Sequence, residues 1–435
     1  MGYRAIVVGF ALLATVGSAR AQEPRPTGLP GNVQWTFNLD AGLGAFGFMN
    51  SLYTDVRPDP SGNLGDNWIE SFVKPALSAT WDLGGGELFG KFSVVGERTF
   101  AAPPTLVGDD ASSFKVEDLH LGWRSGTAIG KTENVLELTL GRAQYKIGHG
   151  MILWDGGGEG GSRGGFWSNA RKAWEYAGIA RVKPGNHTFE AFYLDRDEVP
   201  EGNTRTRLFG ANYELGLGDA TTLGASYLSF TSDIPTRDGL NVFNARAYTA
   251  PLKKLPGLAF ELEYALEDNG SLLAASAYNG QASYEFGSMG WKPRLSYRYA
   301  FFQGDDPGTA DNESFDALIP GFYDWGTWWQ GEIGGEYFLA NSNLVSHQLR
   351  LHLTPSEKVS GGAFAYLFQF DEPASAGATS SDIAFELDGY LDWKLNSNFL
   401  ASFIVAYATP QDGATQATGR TENFVYGMIY LAYSY

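Results

Sequence analysis

The chain has 435 residues, no cysteine and a formal charge of −18 at pH 7. The absence of cysteine excludes disulfide frameworks and cysteine nucleophiles, and the acidic balance excludes a uniformly basic surface for nucleic acid. Glycine accounts for 56 residues and aromatic residues for 14% of the chain, a composition that favours many strands joined by turns.

The N-terminal segment has the order of parts found in a secretory signal peptide. Arg4 precedes the apolar run Ala5–Val16, and Ala19–Ala21 places small residues at the cleavage positions. The apolar run is too short to cross a bilayer as a helix. We predict that residues 1–21 are removed and that residues 22–435 form one exported domain. A buried N-terminal helix is the alternative interpretation.

From residue 33 onward, apolar and polar residues alternate along most of the chain. In residues 258–267, for example, Phe260 and Leu262 share one face of a strand, and Glu261 and Glu263 share the other. Such a sheet can place its apolar face in lipid and its charged face in a watery lumen if it closes on itself. The pattern predicts an all-β protein, a transmembrane antiparallel β-barrel. A secreted β-sandwich or β-helix is the alternative.

The lengths of the connections predict the strand number and the orientation. We count eighteen strands, including the fifth at 134–147 and the sixth at 173–183. Outer-membrane barrels have an even strand number, short periplasmic turns and long outer loops. The long connections include 49–66, 101–112, 148–172, 303–342, 371–381 and 409–421, and the short ones include 83–86, 184–186, 217–220, 288–290, 355–357 and 396–397.

Aromatic residues mark the membrane boundaries of this barrel. Five tryptophans fall on the apolar face at the predicted periplasmic rim, where amphipathic rings are enriched: Trp35, Trp81, Trp123, Trp291 and Trp393. The last strand alternates up to Tyr435 and resembles the C-terminal signal of outer-membrane barrels. We therefore expect the barrel assembly machinery to recognise Tyr435. The expected location is the outer membrane of a Gram-negative bacterium, among lipid and lipopolysaccharide.

The parity of each strand predicts which charged residues line the lumen. We expect the lumen to carry both positive and negative side chains rather than to be basic. A general porin therefore remains an alternative interpretation. If arginines exceed their acidic partners near a constriction, they attract anions; simple pairing between adjacent strands is the alternative. The predicted pore-lining residues are Arg124, Arg181, Arg246, Arg294, Arg298, Arg350, Glu261, Glu263 and Glu285.

The connection 303–342 is the most informative irregular segment. A structureless segment of this length requires a functional or packing reason, and its apolar residues would not remain in water. We predict that it folds into the mouth of the barrel and narrows the pore; a lid that packs on neighbouring loops is the alternative. The candidate constriction residues are Phe315, Tyr323, Trp325, Trp328 and Trp329.

The motifs that suggest chemistry have weaker support. Gly160–Gly164 matches G-x-S-x-G, but glycine-rich chain rather than a strand and a helix surrounds it. His347 and His352 lie five apart on a strand and point to opposite faces. The acidic stretches 59–66 and 305–313 lack the spacing of a calcium loop. We therefore expect no catalytic residues, no metal site and no cofactor.

Two stretches resemble the bacterial outer-membrane alginate export family. The first is Leu140–Tyr145, and the second comprises residues 315–355. The resemblance implies an eighteen-stranded channel for a carbohydrate polyanion or similar solute, and it adds Arg142 to the pore-lining residues. The predicted function is thus an outer-membrane channel for a hydrophilic, anionic saccharide-type solute or polymer. A general diffusion porin for small solutes is the main alternative, and an enzyme or adhesin on the same barrel is the other.

Overall fold

One closed sheet forms the body of the protein. The computed structural model describes residues 33–50, 66–101, 111–129, 132–154, 156–158, 160–218, 220–249, 255–321 and 330–435. Eighteen strands lie within these ranges, each antiparallel to its neighbours in the chain, and β1 pairs with β18 to close the barrel. The predicted fold class and the predicted strand number are both confirmed.

The strands vary from seven to seventeen residues in length. Their bounds are β1 Val33–Met49, β2 Asp66–Asp82, β3 Glu87–Phe100, β4 Ser112–Arg124, β5 Leu136–Arg142, β6 Tyr176–Val182, β7 His187–Asp195, β8 Arg207–Leu217, β9 Thr221–Thr231, β10 Asn241–Thr249, β11 Leu258–Asp268, β12 Ala274–Glu285, β13 Arg294–Phe302, β14 Leu344–Ser356, β15 Val359–Gln369, β16 Asp382–Lys394, β17 Phe399–Pro410 and β18 Phe424–Ser434. The described helices are short: 3-10 helices at Gly160–Arg163, Pro200–Gly202 and Pro373–Ala376, a π-helix at Gly331–Phe338, and α1 at Asp412–Thr418.

The outer surface of the barrel is apolar. Phe114, Leu121 and Val405 are 71%, 67% and 66% exposed, although a soluble protein would bury such side chains. Closure leaves no unpaired strand edge, which is the requirement for a sheet in hydrocarbon. The closed barrel and its apolar exterior confirm the predicted outer-membrane location. In the described ranges, no helix is long and apolar enough to cross a membrane.

The aromatic residues predicted at the rim lie where the short turns are. Trp81 and Trp393 are the penultimate residues of β2 and β16, and both side chains are about half exposed on the outer face. Tyr435 lies beside β1, exchanges two backbone hydrogen bonds of 3.0 Å with Leu39, and places its ring 6.4 Å from Phe37. Recognition of Tyr435 by the assembly machinery stays a prediction.

Strands β5 and β6 are shorter than the sequence predicts. The alternating pattern suggests a fifth strand over 134–147, but β5 ends at Arg142. Gly141 has a φ of +120°, and a Cβ there would lie 2.2 Å from the carbonyl oxygen of Leu119. This conformation, which favours glycine, turns the chain away from the wall. The alternating sequence pattern continues through Tyr145 and Ile147, but these two residues are buried inside the barrel and not in a strand of its wall.

Candidate functional site: the barrel interior

The predicted pore-lining residues lie on the inner side of the barrel. In β13, for example, Leu295 and Tyr297 are exposed on the outer face, while the next residue, Arg298, is buried on the inner face. Arg142 also reaches inward, because its Nη2 group donates to Asp197. The inward-facing set comprises Arg124, Arg142, Arg181, Arg246, Arg294, Arg298, Arg350, Glu261, Glu263 and Glu285. Their contacts decide which of them can act on a solute.

A chain of hydrogen-bonded side chains runs along the inner wall across nine successive strands, β3 to β11, and we call it the charged belt. Arg124 contacts Glu87 and Glu137 at 2.8 and 2.7 Å. Arg181 contacts Glu137 and Glu190 at 2.9 and 2.5 Å. Beyond Glu190 the hydrogen-bonded chain continues through Asn212, Ser226, Arg246, Asn244 and Glu263. The positive and negative groups of the charged belt therefore largely neutralise one another.

The inner wall beyond the charged belt combines arginines with polar and aromatic partners. Arg294 pairs with Glu285 at 2.8 Å. Arg298 donates to the Gln281 side chain at 3.0 Å. Arg350 donates to the Tyr390 hydroxyl at 2.7 Å and stacks over the ring of Phe364 at 5.0 Å. The arginines on this side are thus held in fixed positions by neighbouring strands.

The connection between β5 and β6, residues 143–175, folds into the barrel, and we call it loop A. Trp167 is almost completely buried, and its ring lies 5.3 Å from that of Phe46 and 5.0 Å from that of Tyr430. Near the start of loop A, the ring of His149 stacks on the ring of Tyr248 with centroids 3.9 Å apart. The Nδ1 atom of His149 lies 3.2 Å from the carboxylate of Glu261. Loop A therefore spans the interior from β1 and β18 to β10 and β11.

This inward arrangement of residues 148–172 differs from the outer connection that the sequence predicts. Length and glycine content indicate an exposed loop there. The sequence nevertheless contains a signal for burial, because Phe166, Trp167 and Trp174 are too apolar to remain in water. Arg163 and Arg171, in the same segment, require acidic partners when buried. An apolar segment containing arginines is the feature that indicates an inward-folded loop.

Carboxylates on the inner wall hold loop A through its backbone. Glu70 accepts hydrogen bonds from the amides of Trp167 and Ser168 at 2.8 to 3.0 Å, and from the Ser168 hydroxyl at 2.9 Å. Glu97 accepts from the amide of Ala170 at 2.9 Å. Glu117 accepts from the amides of residues 172 and 173 at 2.7 and 3.0 Å. Three neighbouring strands, β2, β3 and β4, therefore hold successive residues of loop A.

Loop A is also held by a cluster of three arginines around one carboxylate. Arg142, Arg163 and Arg171 each donate to Asp197, at 2.6, 2.9 and 2.5 Å. Burial acts to raise the pKa of the Asp197 carboxyl, but the three guanidinium groups outweigh it and lower that pKa to about 2. Asp197 is therefore ionised at neutral pH. It joins the end of β5 and the later half of loop A to the chain that follows β7.

The connection between β13 and β14, residues 303–343, also enters the barrel, and we call it loop B. Phe315 is buried with its ring 5.7 Å from that of Phe302. The described part of loop B includes the π-helix Gly331–Phe338. On the wall, Glu386 accepts from the amides of Ile333 and Gly334 at 2.8 and 2.7 Å. The remaining candidate constriction residues, Tyr323, Trp325, Trp328 and Trp329, lie outside the described residues.

Loops A and B contact each other inside the barrel. Leu153 and Ile319 form a parallel bridge between them, and the amide of Gly321 donates to the carbonyl of Gly150 at 2.8 Å. The indole of Trp167 donates to Glu332 at 3.0 Å. The interior at the long-connection end is therefore occupied by two segments that support each other and are held by the wall.

Two acidic residues of loop B are buried without a cation beside them in the described part of the chain. Burial raises the pKa of Glu332 well above its ordinary value, and the charge of Asp388 adds to the effect. Burial also raises the pKa of Glu336, with further contributions from Glu332 and Glu70. Both side chains are thus most stable in this packing when they are protonated.

Raising the pH is expected to loosen loop B and increase the conductance. A released loop has ordinary glutamate pKa values, so above about pH 4.5 it binds fewer protons than the packed loop. Packing therefore weakens as the pH rises through the raised pKa values. We expect about twofold more conductance at roughly pH 9 than at roughly pH 5. Glu336→Gln should remove much of the increase, because the amide stays neutral. An equal increase in wild type and variant would contradict this assignment.

The described residues contain no group of three or more His, Asp or Glu side chains placed to hold a metal ion. His347 and His352 lie on opposite faces of β14, since His347 contacts the exposed Tyr297 and His352 contacts the buried Tyr390. In the acidic stretch 305–313, Asp306 and Asp305 accept from backbone amides of the same loop.

The geometry defines an outer-membrane β-barrel with a charged inner wall and two inward-folded loops. No protein-family profile matches the sequence, and no curated protein matches it. Solved structures of the Occ/Opd porins are similar over nearly their whole length. OccK5 (OpdH) from Pseudomonas aeruginosa has a TM-score of 0.59 and 14% identity, with 92% of this chain and 97% of that chain covered.

Two further structures give the same result. OccAB2 from Acinetobacter baumannii has a TM-score of 0.58 at 13% identity, covering 92% of this chain and 98% of the other. Pseudomonas aeruginosa OpdK, in its structure with vanillate, has a TM-score of 0.55 at 11% identity, with the same shares covered. At these identities the comparison establishes the fold, which is the eighteen-stranded porin barrel.

The resemblance to the alginate export family is wrong. The similar structures are Occ/Opd porins, and no family profile matches the chain. The two stretches that suggested it, Leu140–Tyr145 and residues 315–355, contain features that barrel architecture produces in unrelated sequences. The first is a strand end at Gly141, where the chain turns inward, and the second is an aromatic loop followed by the alternating strand β14.

Proposed function

We propose that this protein is an outer-membrane channel through which small hydrophilic solutes diffuse. One observation carries the proposal: loops A and B lie inside a closed barrel and are fixed to its wall by buried carboxylates. A barrel whose interior is narrowed by folded chain admits small solutes and obstructs a polymer. The charged belt gives this part of the inner wall a polar surface, as a water-filled lumen requires.

The contacts of the charged residues favour weak ion selectivity. Rings of fixed charge set the sign of selectivity in a channel. Here Arg124 and Arg181 share their carboxylate partners within the charged belt, and Arg294 pairs with Glu285. Such pairs leave little net field for attracting one sign of ion. The proposed solutes are therefore small and hydrophilic, without a strong requirement for net charge.

Reconstitution tests the proposed function directly. We expect purified protein to produce stepwise conductance in planar bilayers, and to let liposomes swell in small sugars but not in oligosaccharides. Vanillate, present in the OpdK structure, is a suitable small organic anion to include. Liposomes with heat-unfolded protein are the control. Correctly folded protein that gives no conductance and no swelling would contradict a channel and favour another role for the barrel.

A further inference from the structure

The charged belt borders a cavity in the inner wall between β3 and β6. Its volume is about 330 Å³, which lies within the range of small-molecule sites. The start of loop A closes one side through Ala143 and Gln144. The ionisable groups that line the cavity are Lys91, Asp118, His120, Glu137 and Arg181. The cavity is thus a recess of the wall that a solute in the lumen would meet beside loop A.

Two cations and two anions line this cavity. Lys91 pairs with Asp118 at 2.8 Å, and Arg181 pairs with Glu137 at 2.9 Å. The side chains of Lys91, Arg181 and Glu137 remain 30%, 27% and 19% exposed. Asp118 is only 2% exposed. A solute can therefore reach both cations, but it can reach only one of the two anions, Glu137.

The cations of the cavity have donors to spare. An ammonium has three N–H donors and a guanidinium has five. Among the described residues, the Lys91 ammonium contacts Asp118, and Arg181 uses Nε and Nη1 for Glu190 and Glu137. The Nη2 group of Arg181 is left for a ligand. The cavity can therefore receive a carboxylate at Lys91 without breaking its own ion pairs.

We propose that this cavity is a subsite for small zwitterions, and the proposal rests on the channel function proposed above. The carboxylate of the solute contacts Lys91, and its ammonium group contacts the exposed edge of Glu137. A simple anion gains the contact with the cation but is repelled by Glu137. A simple cation gains the contact with Glu137 but is repelled by the cations of the cavity. A zwitterion gains both contacts and adds no net charge to the site.

Block of the ion current in planar bilayers tests the subsite with three probes of similar length. These are 4-aminobutyrate, butyrate and butylammonium. The potassium chloride conductance measured first, without a probe, tests the channel itself. We expect 4-aminobutyrate to reduce the current at roughly tenfold lower concentration than either singly charged probe, because it makes one more charge-assisted contact. Folding of each protein is checked by its heat-modifiable migration on gels.

Two variants and a control separate the contacts. Glu137→Gln should weaken block by 4-aminobutyrate about tenfold, to the level of butyrate, and Lys91→Met should weaken block by both carboxylates. Glu214→Gln is the matched control, because Glu214 also pairs with an arginine on the inner wall and is one-third exposed, but lies outside the cavity. It should keep the preference for 4-aminobutyrate.

The possible outcomes distinguish the two proposals. Absence of conductance in folded protein overturns the channel function. Normal conductance with equal block by 4-aminobutyrate and butyrate overturns the zwitterion subsite and leaves an anion site. Loss of the preference in Glu214→Gln as well as in Glu137→Gln overturns the assignment to this cavity.

Discussion

Replacing Asp197 by alanine is expected to release loop A and to shift the channel towards anions. The substitution removes one carboxylate from the three arginines that it holds, Arg142, Arg163 and Arg171. Breaking a buried ion pair by removing one partner costs about 3–5 kcal/mol, because the remaining charge stays buried without compensation. Loop A should relieve that cost by leaving its position, which exposes its guanidinium groups to the lumen.

Bilayer recordings and gel migration measure this effect. We expect larger current fluctuations, a reversal potential shifted towards anions in a salt gradient, and unfolding at lower temperature. The shift should be greatest at low salt, since fixed charges are less screened there. Asp233→Ala is the control: Asp233 also pairs with an arginine, Arg205, but both side chains are solvent-exposed, and exposed pairs contribute little. Unchanged noise and selectivity in folded Asp197→Ala would show that the cluster does not hold loop A.

Replacing Glu70 by alanine is expected to widen the pore. Glu70 is completely buried and accepts from the amides of Trp167 and Ser168 and from the Ser168 hydroxyl. Each buried donor that loses its acceptor costs about 1–3 kcal/mol. Loop A should therefore lose its position beside β1 and β2, and the single-channel conductance should rise about two- to fivefold.

A graded series makes this test specific. Glu70→Gln keeps one acceptor oxygen and should give an intermediate conductance. Glu386→Ala should also raise conductance through loop B, because Glu386 accepts from the amides of Ile333 and Gly334. Glu214→Ala, which removes an inner-wall glutamate that pairs with Arg246, is the control and should leave the pore size unchanged. Wild-type conductance in folded Glu70→Ala would refute the anchoring role of Glu70.

The inward folding of loop A explains why the pore could be predicted only in part. The strand pattern carries information about faces, so it places Arg246 and Arg298 inside. It does not say which acceptor each arginine contacts, and Arg246 contacts Asn212 and Glu214 on β8, two strands away. The alginate export resemblance failed for a related reason. Aromatic loops and alternating strands reflect the membrane environment, so they recur among barrels with different solutes.

The sequence by itself determined the barrel, its eighteen strands and the two faces of each strand. These properties follow from local rules, because side chains alternate along a strand and lipid accepts only the apolar face. Only the tertiary structure decided what fills the interior. Glu70 and Trp167 lie 97 residues apart, and Trp167 and Glu332 lie 165 apart. Closure of the barrel brings them together, and no local pattern in the chain encodes that contact.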